Sequence, residues 1–276
     1  MKNQIFDWKR FVAALRKEVV ENWRTLLFSV IAIYGVMAIF MILGNLITGD
    51  ETAASVVMLR YVFVYMVFGF AGIIIASLAF RGLKTKTGRI ELLTSPSSTL
   101  EKFLVNATIY VLGFIVVFPI CAQLADLTRI AVLWPWSAGE NVPGPINYLN
   151  MLHQFAFHQE FWPQSAKAWF EVCLWIGMLA SPGLYLLGSV IWPRLSFLKT
   201  FAAIYAIETI VGIVVMIGIS VFSDMQTVAL WVAEHMGGKG LMMGFAIFAA
   251  VQLLVYWALA WWLWKRKDVI SLKWWS

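Results

Sequence analysis

Long apolar stretches alternate with short polar ones along the chain, and the apolar stretches have the length of membrane crossings. A helix needs about 20 predominantly apolar residues to cross the hydrocarbon core. Six segments meet that requirement: residues 25–48, 54–80, 104–126, 168–192, 200–222 and 241–264. The third can run on as helix to about Trp134. Ser181-Pro182-Gly183 interrupts the fourth and predicts a kink. Ahead of the first span, Ile5, Trp8, Val12, Leu15 and Val19 recur at the three- and four-residue steps that align one helix face. Asp7, Lys9, Arg10, Arg16, Lys17, Glu18 and Glu21 fall mostly elsewhere. Residues 1–24 therefore read as an amphipathic helix lying in the membrane interface, either a generic juxtamembrane helix or an elbow helix clasping the bundle. The pattern predicts an all-α integral membrane protein, with that elbow helix followed by one six-helix transmembrane domain over residues 25–276.

Composition agrees. Of the 276 residues, 61% are hydrophobic and 13% are charged. Soluble domains run at about 45–50% apolar and 25% charged. A net charge of +6 in a soluble protein would suggest nucleic acid. Here the basic residues border apolar runs, so membrane topology explains them and no nucleic-acid partner is expected. Of the 21 Lys and Arg, 17 lie in segments 1–24, 81–103, 193–199 and 265–276. Three lie in 49–53, 127–167 and 223–240, and Arg60 falls within the second span. This bias predicts both termini on the cytoplasmic side. The charged residues 1–24 lack the pattern of a signal peptide. Cys121 and Cys173 make neither a disulfide framework nor a metal spacing. His153 and His158 are five apart, off the i, i+4 spacing of a helical zinc pair. With His235 they read as surface residues of outer segments, and no metal site is expected.

The most polar stretch between two spans is RGLKTKTGRIELLTSPSSTLEKF, residues 81–103. Thr94-Ser95-Pro96-Ser97 is turn chemistry. Ser98-Thr99-Leu100-Glu101 matches a capping box, so the third helix should begin near Ser98. Arg89–Leu93 suits one short helical turn along the membrane. Either the loop merely fixes topology with its positive charge, or it is a docking surface for a cytoplasmic partner.

Ionisable residues inside a span are costly and point to function by default. Glu208, in AAIYAIETIVG, is the sharpest case, serving either a structural hydrogen bond or a transport path. Arg60 and Asn45 join it as candidate path residues. Glu171 lies near a span end, close enough to be wetted. Asp126 and Arg129, three apart on one helix, suit a structural pair. Asn45, Ser77, Asn106, Ser181 and Thr209 suit helix–helix contacts, and Gly183, Gly188, Gly212 and Gly218 suit close helix approach. The outer segments 127–167 and 223–240 could each hold a short amphipathic helix, at 147–159 and 224–236. No HExxH or GxSxG occurs, which disfavours a membrane-embedded enzyme, and no catalytic residue is assigned. Gly237-Gly238-Lys239-Gly240 lacks the earlier glycine and following Ser or Thr of a P-loop. Any ATP must be held by another chain.

An amphipathic inner helix, six spans with both ends inside, a structured loop between spans two and three, and an outer element between spans five and six resemble a known arrangement. It is that of the permease subunit of bacterial ABC-2-type transporters, also called type V ABC transporters. SLAFRGLKTKTGRIELLTSPSSTLEKFLV, residues 77–105, looks like the corresponding loop of that family. The resemblance implies a coupling helix in about Lys84–Pro96 that docks on a cytoplasmic ATP-binding subunit. Lys84, Lys86, Arg89 and Glu91 would be the coupling residues. It also implies ATP and Mg on that partner and no cofactor on this chain. A second permease copy or sister permease would complete the unit in the bacterial inner membrane. The function implied is export of an amphipathic, lipid-like or antimicrobial substrate. The chain departs from the family in its long 127–167 segment, which puts transfer of substrate class in doubt and suggests an outer lid or partner surface. The alternatives are an ion-coupled secondary transporter using Glu208 and a non-transporting membrane anchor or sensor subunit.

Overall fold

A computed structural model of the chain describes residues 6–48, 54–135, 145–148, 153, 163–222 and 237–266. Its helices are α1 (Trp8–Thr48), α2 (Ala54–Ser77), α3 (Lys86–Thr94), α4 (Thr99–Leu133), α5 (Gln164–Ile191), α6 (Ser196–Phe222) and α7 (Gly237–Arg266). All but α3 are long and apolar enough to cross a membrane, six in all among the described residues. The chain is thus an all-helical, multi-pass candidate membrane protein.

Two expectations change form. Residues 1–24 were expected as a helix separate from the first span, but α1 is continuous over 41 residues, roughly 60 Å at 1.5 Å per residue. The reason is local: neither Pro nor Gly occurs between Trp8 and Gly35, so nothing breaks the ladder. Four of the polar residues assigned to helix–helix contacts bond to their own helices. Ser77 donates to the Ile74 carbonyl, Asn106 to Lys102, Ser181 to Gly177 and Thr209 to Tyr205. A carbonyl one turn back is always within reach of a short side chain, whereas a neighbouring helix is not.

The residues fall into two compact units: Met1–Ala79 with Thr94–His158, and Phe80–Leu93 with Gln159–Ser276. In the first, α1 packs along α4, and the Tyr34 and Thr128 hydroxyls meet at 2.6 Å. Phe68 of α2 meets Phe114 and Phe118 of α4, with ring centroids 5.0 and 4.9 Å apart. Gly72 lies under the Phe114 ring, where a Cβ would come within 2.9 Å of a ring carbon. α4 runs on to Trp134 as anticipated, through a π-helical turn at Thr108–Gly113 and through Pro119.

In the second unit, α5 and α7 pack most closely. α5 continues as helix through Pro182. Gly183 and Gly188 serve the close approach foreseen for them: a Cβ on Gly183 would lie 2.5 Å from the Trp257 indole nitrogen, and one on Gly188 would collide with Thr200 of α6. Gly212 and Gly218 have nothing within 4 Å of a Cβ and face open space. α6 is the span whose most apolar window has no residue buried within the chain.

Candidate functional site

The stretch between α2 and α4 is folded. After α2, a 3₁₀ turn spans Arg81–Lys84 and buries Leu83. Thr85 is extended, and its hydroxyl accepts from the Gly88 N–H at 3.1 Å, capping α3. Gly88 is required: a Cβ there would run into the Gly82 carbonyl oxygen and lie 3.0 Å from the Thr85 hydroxyl. The Phe80 ring stacks on Trp264 near the end of α7, with centroids 4.5 Å apart, and both side chains are buried. The helical turn expected at Arg89–Leu93 is a nine-residue helix, Lys86–Thr94.

Of the four residues singled out in this loop, Lys84, Lys86 and Glu91 are exposed, whereas Arg89 is half-buried and donates through Nε to the Thr85 carbonyl at 3.3 Å. Arg89 therefore helps hold the turn. The sequence reading passed over Ile90, a large apolar side chain 59% exposed on α3. Its signal was available, since an aliphatic residue in a polar loop stands out once helical phase is assigned.

At the other end of the loop, Ser98 and Glu101 form the predicted capping box. The Ser98 hydroxyl accepts from the Glu101 N–H at 3.2 Å, and the Glu101 carboxylate accepts from the Ser98 N–H at 2.7 Å. The same carboxylate, with 0% of its side chain exposed, accepts from the Asp7 N–H at 2.8 Å and pairs with Arg10 at 3.1 Å. One acidic side chain thus caps α4 and holds the start of α1. The second task could not be read from the sequence, because it joins residues 94 apart.

The remaining intramembrane candidates divide between the two units. Arg60 belongs to a buried polar cluster of the first. There Arg129 Nε donates to Asp126 Oδ1 at 2.7 Å, with neither side chain exposed, which is the pair read from the sequence. Asp126 Oδ2 accepts from the Ile146 N–H at 2.8 Å, and Gln123 accepts from the Tyr148 N–H at 3.3 Å. These bonds pin residues 146–148 of the long 127–167 segment onto α4. Tyr148 is 1% exposed and sits edge-on to Tyr61 at 6.0 Å. Burial first, and then the Asp126 carboxylate, hold its phenol well above the usual tyrosine range, and Arg60 and Arg129 act in the opposite direction.

Glu208 lies at mid-length on α6 in the second unit, with its side chain exposed. Arg60 and Glu208 therefore belong to different units. The backbone of Asn45 is part of α1, and its side chain lies outside the described residues. So do most of segments 127–167 and 223–240, including nearly all of the expected helices at 147–159 and 224–236, and His158 and His235. His153 is exposed. Glu171 is half-buried, and Cys121 and Cys173 are free thiols. Among the described residues no group of three or more His, Cys, Asp or Glu is placed to hold a metal ion.

No family model matches the chain, and neither a curated protein nor a solved structure matches it significantly. The class that sequence and structure define is a six-helix candidate membrane protein.

Proposed function

We propose that the chain is the membrane-spanning permease subunit of an ATP-driven transporter of the ABC-2 type. It would sit in a bacterial inner membrane with both termini cytoplasmic, and pair with a second copy or a sister permease. Its partner would be a soluble ATP-binding subunit, which would hold ATP and Mg. The direction proposed is export, of an amphipathic or lipid-like cargo. The observation that carries this reading is α3. A loop that only set topology would need positive charge and nothing more. This one has a capped helix, a glycine fitted to a neighbouring carbonyl, and a buried aromatic anchor on the last span. It presents Lys84, Lys86, Ile90 and Glu91 outward, a mixed polar and apolar patch suited to a protein surface rather than to acyl chains. Nucleotide binding by the partner would act by favouring one arrangement of the permease over another.

The test is co-purification of the chain in nanodiscs with the soluble ATPases of its host, wild type beside a Lys86→Glu, Glu91→Arg double swap. Both positions are exposed on α3. An ATPase captured by wild type and lost with the swap is the expected result. Capture of none by wild type overturns the reading and favours a carrier working through Glu208 or a non-transporting anchor.

A further inference from the structure

The turn that joins α5 to α6 breaks three local rules at one residue. Leu195 has a φ of 54°, in the left-handed region that a leucine enters only at a cost. Its carbonyl accepts from the Lys199 N–H at 3.0 Å, so it is the N-cap of α6, a position that favours Asn, Asp, Ser or Thr. Its side chain is 68% exposed. Asn would suit this backbone better on the first two counts and water better on the third. The turn is nevertheless firmly held. The Trp192 N–H donates to the Gly188 carbonyl at 2.8 Å, Pro193 fixes one torsion, and Ser196 and Thr200 at the start of α6 are buried. Strain of this kind persists where the side chain it presents has a task.

The turn lies at the same end of its unit as the anchor of the α3 loop. Cys173 donates to the Met242 carbonyl at 3.4 Å, Gly183 faces Trp257, and a Cβ on Gly238 would lie 2.9 Å from the Pro163 ring. These partners on α5 and α7 are 69, 74 and 75 apart in number, a near-constant difference of one sign, so the two helices run parallel. Carried on, this register sets Trp264 beside the last turn of α5, just ahead of Leu195. Phe80, which leads into α3, is stacked on that Trp264. Two exposed aliphatic side chains, Ile90 and Leu195, therefore belong to loops that meet at one end of one unit, in the company of Lys84, Lys86, Arg194 and Lys199. A fluid bilayer takes any aliphatic side chain, and the exposed Leu198 would serve it without strain. A leucine pre-set in one place instead lowers the entropy cost of docking into a fitted protein pocket. The basic surroundings call for an acidic rim on that pocket. We propose that Leu195 is a second foothold for the soluble ATP-binding subunit, which receives it in an acid-rimmed apolar pocket beside the surface that takes α3. This rests on the permease reading above.

The experiment uses the full chain in nanodiscs and the ATPase captured by wild type, purified and titrated against each variant. Leu195→Asn suits both the backbone and the cap, so a leucine with no external partner predicts an equal or higher thermal midpoint and unchanged affinity. The proposal predicts that same midpoint with binding weakened about tenfold, the scale of one buried aliphatic anchor. Leu195→Met, which keeps an apolar side chain of similar volume, should stay within about threefold of wild type. Benzoylphenylalanine placed at position 195 should label the ATPase on irradiation. Wild-type affinity in Leu195→Asn, or label found on lipid alone, overturns the foothold and leaves capture through α3 standing. Should Leu195→Asn lower the midpoint, Leu195→Gly, which the left-handed φ also favours, decides in its place. Capture of no ATPase by wild type overturns this proposal and the permease reading together.

Discussion

Replacing Glu101 with Ala should release the start of α1 from the start of α4. The wild-type carboxylate has no exposed surface and accepts from Asp7 N–H at 2.8 Å, Ser98 N–H at 2.7 Å and the Arg10 guanidinium at 3.1 Å. Each backbone N–H deprived of its acceptor costs about 1 kcal/mol, since both sites are only partly buried and water can reach them in compensation. The Arg10 pair adds only a few tenths of a kcal/mol, because the arginine side is 41% exposed and its charge is screened. The expected loss is therefore about 2–3 kcal/mol, a factor of about 30 to 160 in the local closing equilibrium. Glu101→Gln keeps one acceptor oxygen and turns the other into a donor facing donors, so it should lose roughly half as much.

The assay is amide hydrogen exchange of the chain in nanodiscs, read at Asp7, Ser98 and Phe11, whose N–H closes the first turn of α1 on the Asp7 carbonyl at 2.9 Å. Exchange at all three should rise in the order wild type, Gln, Ala. Mid-span amides of α4 should not change. Faster exchange at Ser98 alone would mean that Glu101 caps α4 without holding α1. Unchanged exchange at both Asp7 and Ser98 in Glu101→Ala would refute the reasoning altogether.

Two further perturbations follow from the same geometry. Gly88→Ala should spring the α3 loop by about 1–3 kcal/mol, because the added methyl meets the Gly82 carbonyl and backbone cannot yield as a side chain can. Limited proteolysis between residues 81 and 94 should accelerate, and resistance equal to wild type would count against the fit. Asp126→Asn should cost about 3 kcal/mol, since it removes a buried counter-charge from Arg129 and weakens the acceptor for Ile146. Thermal unfolding in detergent reads the cost, and a midpoint within a degree of wild type would make the pair dispensable.

What the sequence made legible was whatever is local in the chain. Span number follows from apolar length, the Ser98–Glu101 box from a four-residue spacing, and the Asp126–Arg129 pair from an i, i+3 relation. Each needs only one helix to be right. The second role of Glu101, the pinning of Ile146 and Tyr148 on α4, and the stacking of Phe80 on Trp264 join distant residues, and periodicity carries no information about such pairs. Glycines show the same boundary. The four singled out on α5 and α6, Gly183, Gly188, Gly212 and Gly218, looked alike in sequence, yet of these only Gly183 and Gly188 meet a neighbour, Trp257 and Thr200 respectively. The sequence pattern does not say which face of a uniformly apolar helix meets protein and which meets lipid, because both faces want the same residues.

That boundary bears on how the loop could act. By chain connection α3 joins α2 to α4, both of the first unit. By contact it belongs with α5–α7, because Phe80 is seated on Trp264 and Leu83 is buried. A force on the exposed face of α3 would therefore have two separate exits: the Phe80–Trp264 stack into α7, and the capped start of α4, where Glu101 also holds α1. The two can be cut independently. Trp264→Ala removes the first and leaves Glu101 bonded; Glu101→Ala does the opposite. Under the permease reading, Trp264→Ala should keep ATPase capture, because Lys86, Ile90 and Glu91 stay on α3, yet lower cargo-stimulated ATP hydrolysis. Capture lost together with stimulation would show instead that the aromatic seat shapes the docking face itself.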